Sequence, residues 1–238
     1  MPTAGINIDT IDNLSLKGEE PNFLTVKNLN QFKQREIEHE VMKLSGNPQL
    51  DFARKISYSV NEGAEEIQKA LKQSKTEISY PKSQLASKME WIARLIKGNL
   101  NSKVYYTSLN GFDTHNNQLG IHKNKLKELD QAVTAFYKDL KDAKLLKQAT
   151  IVVFSEFGRR AKDNGSGTDH GTAAPMMIIG GQNQGKVIGE NPDLKNLDNG
   201  DLIYKTDFRS VYASLLFDKM KFNPEDIGLK NKVLKGLF

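Results

Sequence analysis

Between Gln49 and Gln73, apolar residues recur every three or four positions: Phe52, Ile56, Val60, Ala64, Ile67, Ala70 and Leu71. That spacing predicts an amphipathic helix, with Gly63 weakening its middle without ending it. Ser74–Tyr80 reads as a loop closed by Pro81. Ser83 reads as the N-cap of a second helix through Lys97, with Leu85, Met89, Ile92, Leu95 and Ile96 on one face and Gly98 as its stop. The stretch Asn28–Lys43 is strongly charged, with sparse apolar residues, and predicts a surface helix or an extended arm. The opening, MPTAGINIDTIDNLSLKG, shows no clear strand. Residues 1–82 therefore read as a helical and loop segment or arm, ahead of an α/β region over 83–238.

From Lys103 the pattern alternates short apolar runs with helices. Val104–Leu109, Thr150–Phe154 and Pro175–Ile179 predict strands. The last two are continuous apolar runs, as expected of strands covered on both faces. Leu119–Leu140 predicts a long helix with Leu126, Leu129, Val133, Phe136, Tyr137 and Leu140 inward, and Phe208–Leu216 predicts a helix capped by Thr206. Strand–helix–strand order predicts βαβ units in a mostly parallel sheet flanked by helices.

In such a sheet, ligands bind outside the carboxyl ends of the strands. Asp113 and His115 follow the first of these strands, Glu156 follows the second, and Asp169 and His170 precede the third. Three segments then deliver carboxylates and imidazoles to one rim, a set suited to a divalent cation. Asp113 and His115, two apart, face the same way in extended backbone; Asp169 and His170, adjacent, face opposite ways. His170 is the expected direct ligand, and Asp169 a ligand to a second ion or a partner that orients an imidazole. The guanidinium of Arg159 suits ester oxygens, with an exposed surface charge as the plain alternative. Each short motif also has a structural reading, as a turn or a cap. His122 reads as a surface residue near a helix start, and His39, among glutamates, as a solvated helix residue.

Composition narrows the chemistry. Cysteine is absent, which removes disulfides, thiolate ligands and a cysteine nucleophile. The net charge of +5 comes mostly from lysines scattered among acids along helical stretches, without interleaved aromatics. It reads as a solvated surface and not as a nucleic-acid interface. No run is long and apolar enough to span a membrane, and no signal-peptide pattern opens the chain.

The series NGFDTHNNQ, LDQAVTAFYKDL, TIVVFSEFGRR, NGSGTDHG and PMMIIGG resembles the bacterial family known as domain of unknown function 1501, of the alkaline phosphatase-like superfamily. The likeness runs from about Ser83 to Phe217. It implies an alkaline phosphatase-like fold in which Asp113, His115, Glu156 and His170 are metal ligands, Asp169 is a ligand or supports one, and Arg159 contacts an anion. Zinc is the first expectation, with calcium, magnesium or manganese as alternatives. The implied substrate is a small-molecule or glycan phosphate or sulfate ester. Where alkaline phosphatases carry an imidazole after the strand-end acid, this chain has Phe157, which argues against a complete second metal site. The resemblance also implies an opening strand with a metal-binding Asp and a hydroxyl nucleophile. With none read near Met1, the chain reads as the C-terminal portion of an exported hydrolase. The competing expectation is a non-catalytic binding module that keeps the fold.

Overall fold

The computed structural model describes residues 3–18, 22–28, 43–180 and 185–238. The predicted charged arm at Asn28–Lys43 and His39 fall almost wholly outside them. Two compact units are present: residues 1–111 with 124–145, and residues 112–123 with 146–238.

In the first unit, β1 (Gly5–Asn7) is the central strand of a parallel sheet, between β2 (Phe23–Thr25) and β3 (Val104–Tyr106). This corrects the reading of the first third as helix and loop without an opening strand. Three residues are too few to show alternation, and all three are buried, so no polar face marks the period. Glycine and asparagine are also poor strand formers. Gly5 is needed for space: a Cβ there would lie 1.9 Å from the Phe23 ring.

Two helices of this unit match their sequence patterns closely. The first, α1 (Pro48–Gln73), is capped by Asn47, whose side chain accepts from the backbone N–H groups of Gln49 and Leu50. Its second half buries Ala64, Ile67, Ala70 and Leu71, while Phe52 and Ile56 lie exposed. Gly63 is a packing residue, since a Cβ there would overlap Leu24 at 2.1 Å. The second, α2 (Gln84–Lys97), begins at the Ser83 cap and stops at Gly98. Gly98 sits where a Cβ would be 2.1 Å from the Ala70 carbonyl oxygen, so it lets α2 end close against α1. Arg94 crosses the same gap and donates to the carbonyls of Leu71 and Ser74.

The third helix, α3 (Gln118–Asp142), buries Ala132, Ala135, Phe136, Asp139 and Leu140. Leu126, expected inward, is exposed. Burial of Asp139 is compensated three ways: Thr76 Oγ1 donates at 2.8 Å, Tyr80 OH at 3.0 Å and Lys97 Nζ at 2.7 Å. Burial and the neighbouring Asp139 carboxylate hold the Tyr80 phenol protonated far above its ordinary range. Removing one partner of a buried ion pair strands the other charge, at about 3–5 kcal/mol. Asp139→Ala should lose that much in urea unfolding, and Tyr80→Phe, which deletes one neutral hydrogen bond, only about 1 kcal/mol.

Among its described residues, the second unit holds three two-stranded sheets, the first turn of α3 and one further α-helix. β4 (Thr150–Val153) pairs antiparallel with β7 (Met177–Gly180), where a parallel pair in the sheet of β3 was expected. The path between them is not a crossover helix. It runs through a hairpin of β5 (Gly158–Asp163) and β6 (Thr168–Gly171), so the chain returns in the opposite direction. β8 (Leu197–Asp198) and β9 (Asp201–Leu202) form a short hairpin. The last helix, α4 (Phe208–Asp218), is capped by Asp207, and not by Thr206. The fold is thus mixed α/β, with small sheets only partly parallel. Among the described residues, no helix is long and apolar enough to cross a membrane.

Candidate metal centre

The loop after β3 turns at Gly111, whose φ of 103° favours glycine, and then presents Phe112, Asp113, Thr114 and His115 before α3. Thr114 is buried, and its Oγ1 lies 2.9 Å from His122 Nε2, which also approaches the Phe112 carbonyl at 3.3 Å. His122, expected at the surface, is therefore half-buried and braces the loop. With Thr114 facing inward, Asp113 and His115 face outward.

The hairpin supplies the third residue. Its turn is closed by Asn164 N–H donating to the Gly167 carbonyl at 2.9 Å, with Gly165 at a φ of 102°. Gln118 Oε1 accepts from the Thr168 backbone N–H at 2.8 Å, and Ser166 Oγ donates to Asn116 Oδ1 at 2.9 Å. These bonds stitch the turn to the 115–118 segment. His170 then stands opposite Arg159 in the ladder, and its ring stacks on Phe157 with centroids 3.8 Å apart and planes 5° from parallel.

Asp113 Oδ1 is the meeting point, 2.8 Å from His170 Nε2 and 3.3 Å from His115 Nδ1. One ligand atom from each of Asp113, His115 and His170 lies within 4.8 Å of the other two, and all three side chains are exposed. The hydrogen bond from His170 is the main influence holding the Asp113 carboxyl below its ordinary range, with further help from the charges of His170, His115 and Arg159. At zinc bond lengths of about 2.0–2.1 Å, neighbouring tetrahedral ligands stand about 3.3 Å apart. The Asp113–His115 spacing matches that value, and the Asp113–His170 contact would have to open slightly to admit an ion.

The structure does not bring the other predicted residues into this group. Glu156 is exposed in the bend between β4 and β5. Asp169 is exposed and, adjacent to His170 in β6, points to the opposite face. Arg159 is committed to backbone carbonyls: Nη1 donates to Thr168 at 2.6 Å and Nη2 donates to Phe112. The one-rim expectation is corrected at the level of the strands, since β3 and the β4–β7 pair belong to different sheets and His170 lies within a strand. Sequence reasoning also missed Asp9, two residues past the end of β1. Its carboxylate is taken up by Ser108, Thr10 and Lys88, and it does not join the three-residue group.

A family model described as "Protein of unknown function (DUF1501)" matches residues 9–235. No curated protein matches the chain, and no solved structure does.

Proposed function

The chain belongs to the DUF1501 family, and from that premise we propose that it is a metal-dependent hydrolase module for phosphate or sulfate esters, of the alkaline phosphatase-like kind, with one divalent ion held by Asp113, His115 and His170. The observation that carries this reading is the convergence of those three ligand atoms within 4.8 Å. Two imidazoles and one carboxylate form a borderline donor set, for which zinc is the first candidate. Held by these three residues, a zinc ion would supply Lewis-acid chemistry toward an ester oxygen. The chain's own residues prepare the site. Thr114 and His122 hold the loop so that Asp113 and His115 face outward, and Phe157 backs the His170 ring and limits its rotation. Phe157 also supplies no ligand, in keeping with a single ion.

A second reading, a metal-binding module without turnover, is favoured by the hydroxyls around the site. Thr114 Oγ1 is engaged with His122, Thr168 Oγ1 with Gln118 at 3.1 Å, and Ser166 Oγ with Asn116. Each is held in structural bonds, unlike an activated nucleophile.

The test is metal analysis of the purified protein, then assays with an aryl phosphate and an aryl sulfate in zinc and in chelator. One equivalent of metal with chelator-sensitive turnover is the expected result. Metal without turnover on either ester selects the second reading. No metal uptake, and no change in thermal stability between zinc and chelator, overturns both.

A further inference from the structure

Arg159 lies across the strand from His170, and its guanidinium bridges the two segments that supply the candidate ligands. Nη1 donates to the carbonyl of Thr168, two residues before His170. Nη2 donates to the carbonyl of Phe112, the residue before Asp113, and approaches Thr114 Oγ1 at 3.4 Å. The same guanidinium lies 5.0 Å from the Phe157 ring, which itself stacks on His170. Arg159 Nε is buried without a partner, so the side chain forgoes one hydrogen bond to sit in this position. A planar fork can span two carbonyls with fixed separation, and an ammonium on a flexible stem cannot.

We propose that Arg159 is a positioning residue that sets the separation of Asp113 from His170 by clamping the Phe112 and Thr168 carbonyls. The spacing of the pair is then a property of the metal-free protein. Its consequence for metal affinity rests on the zinc reading above, whereas its consequence for the Asp113–His170 contact does not.

Both consequences are measurable in the whole chain. In chelator, the carbon-13 and nitrogen-15 ring signals of His170 report its hydrogen bond to Asp113. Arg159→Met should move them toward the values seen in Asp113→Ala, while Arg160→Met, which removes a bond to the Asn199 carbonyl, should leave them in place. With cobalt as the probe, Arg159→Met should lower affinity about 10–100-fold, as for other residues that orient metal ligands. It should also alter the visible ligand-field spectrum, which a general loss of stability does not do. Arg159→Lys should reproduce both changes, and it carries the test if Arg159→Met fails to fold. Unchanged His170 signals in either Arg159 variant overturn the clamp, as does full rescue by lysine. Failure of the unmutated protein to take up cobalt overturns the zinc reading, and the His170 signals in chelator then decide the clamp alone.

Discussion

Replacing Asp9 with alanine is expected to destabilise the protein by about 3–5 kcal/mol, the cost of breaking a buried ion pair on one side. Asp9 follows the central strand β1 and is 6% exposed. Its Oδ2 accepts from the Ser108 backbone N–H at 3.0 Å and from Ser108 Oγ, and lies 3.2 Å from Lys88 Nζ; its Oδ1 accepts from the Thr10 N–H at 2.7 Å. Lys88 Nζ also donates to the Ser108 carbonyl at 3.3 Å. One carboxylate therefore joins the ends of β1 and β3 to α2, and alanine would leave Lys88 and the Ser108 N–H without it. Burial alone would raise the Asp9 pKa, but the bonds from Ser108, Thr10 and Lys88 outweigh it and hold the carboxyl below its ordinary value of 3.8. The sign follows from linkage. The unfolded chain binds the proton more readily, so Asp9's contribution is whole above 3.8 and is lost as pH falls through the lower folded value. Urea midpoints between pH 7 and pH 3 should fall for the unmutated protein, and part of that fall should be missing in Asp9→Ala. Equal pH dependence in the two would refute the assignment.

Replacing Asp113 with alanine is expected to weaken zinc binding on the order of 100-fold or more, because it removes one of the three proposed ligands. Asp113 Oδ1 is also the shared partner of His115 and His170, so the imidazoles lose the group that orients them. At a zinc concentration 100 times its dissociation constant, the unmutated protein should gain about 2.7 kcal/mol of stability, and the variant at the same concentration only about 0.4 kcal/mol. Chelator should abolish both gains. Without metal the two proteins should unfold at nearly the same temperature, since Asp113 is exposed and surface pairs contribute little. Zinc uptake should release protons and weaken with falling pH, because imidazole binds metal only when neutral. Titration calorimetry in buffers of different ionisation enthalpy measures both. A variant that binds zinc as tightly as the unmutated protein would remove Asp113 from the ligand set.

Local signals were legible at α2, whereas the cap of α4 fell one residue later than expected, on Asp207 and not on Thr206. Ser83 and Gly98 bound α2 as expected, because a cap depends on the residue and the turn beside it. The spacing of Asp113 and His115 anticipated their common direction, because period-two geometry is a property of the backbone itself. The second half of α1 also followed its pattern. The exposed Phe52 and Leu126 show the limit: periodicity tells which residues share a face, but the other elements of the fold decide how far along the helix that face is covered.

Other features depended on residues distant in sequence. β1 is a strand because β2 and β3 flank it, and three buried residues carry no pattern of their own. The direction of β7 beside β4 was set by the hairpin between them, whose two strands form because they pair with each other. Arg159 could be chosen by type as an anion contact, yet the Phe112 carbonyl, 47 positions away, occupies part of its fork.

The candidate metal centre combines both kinds of information. Its residue types and the two-residue spacing of Asp113 and His115 were present in the sequence, since these follow from side-chain chemistry and backbone period. Tertiary structure decided which acids stayed out. Glu156 and Asp169 carry the same donor chemistry as Asp113, but a bend and a strand face turn them from the point where the loop after β3 meets the β5–β6 hairpin. Donor type is a property of a residue, whereas convergence to within a few ångströms is a property of the fold.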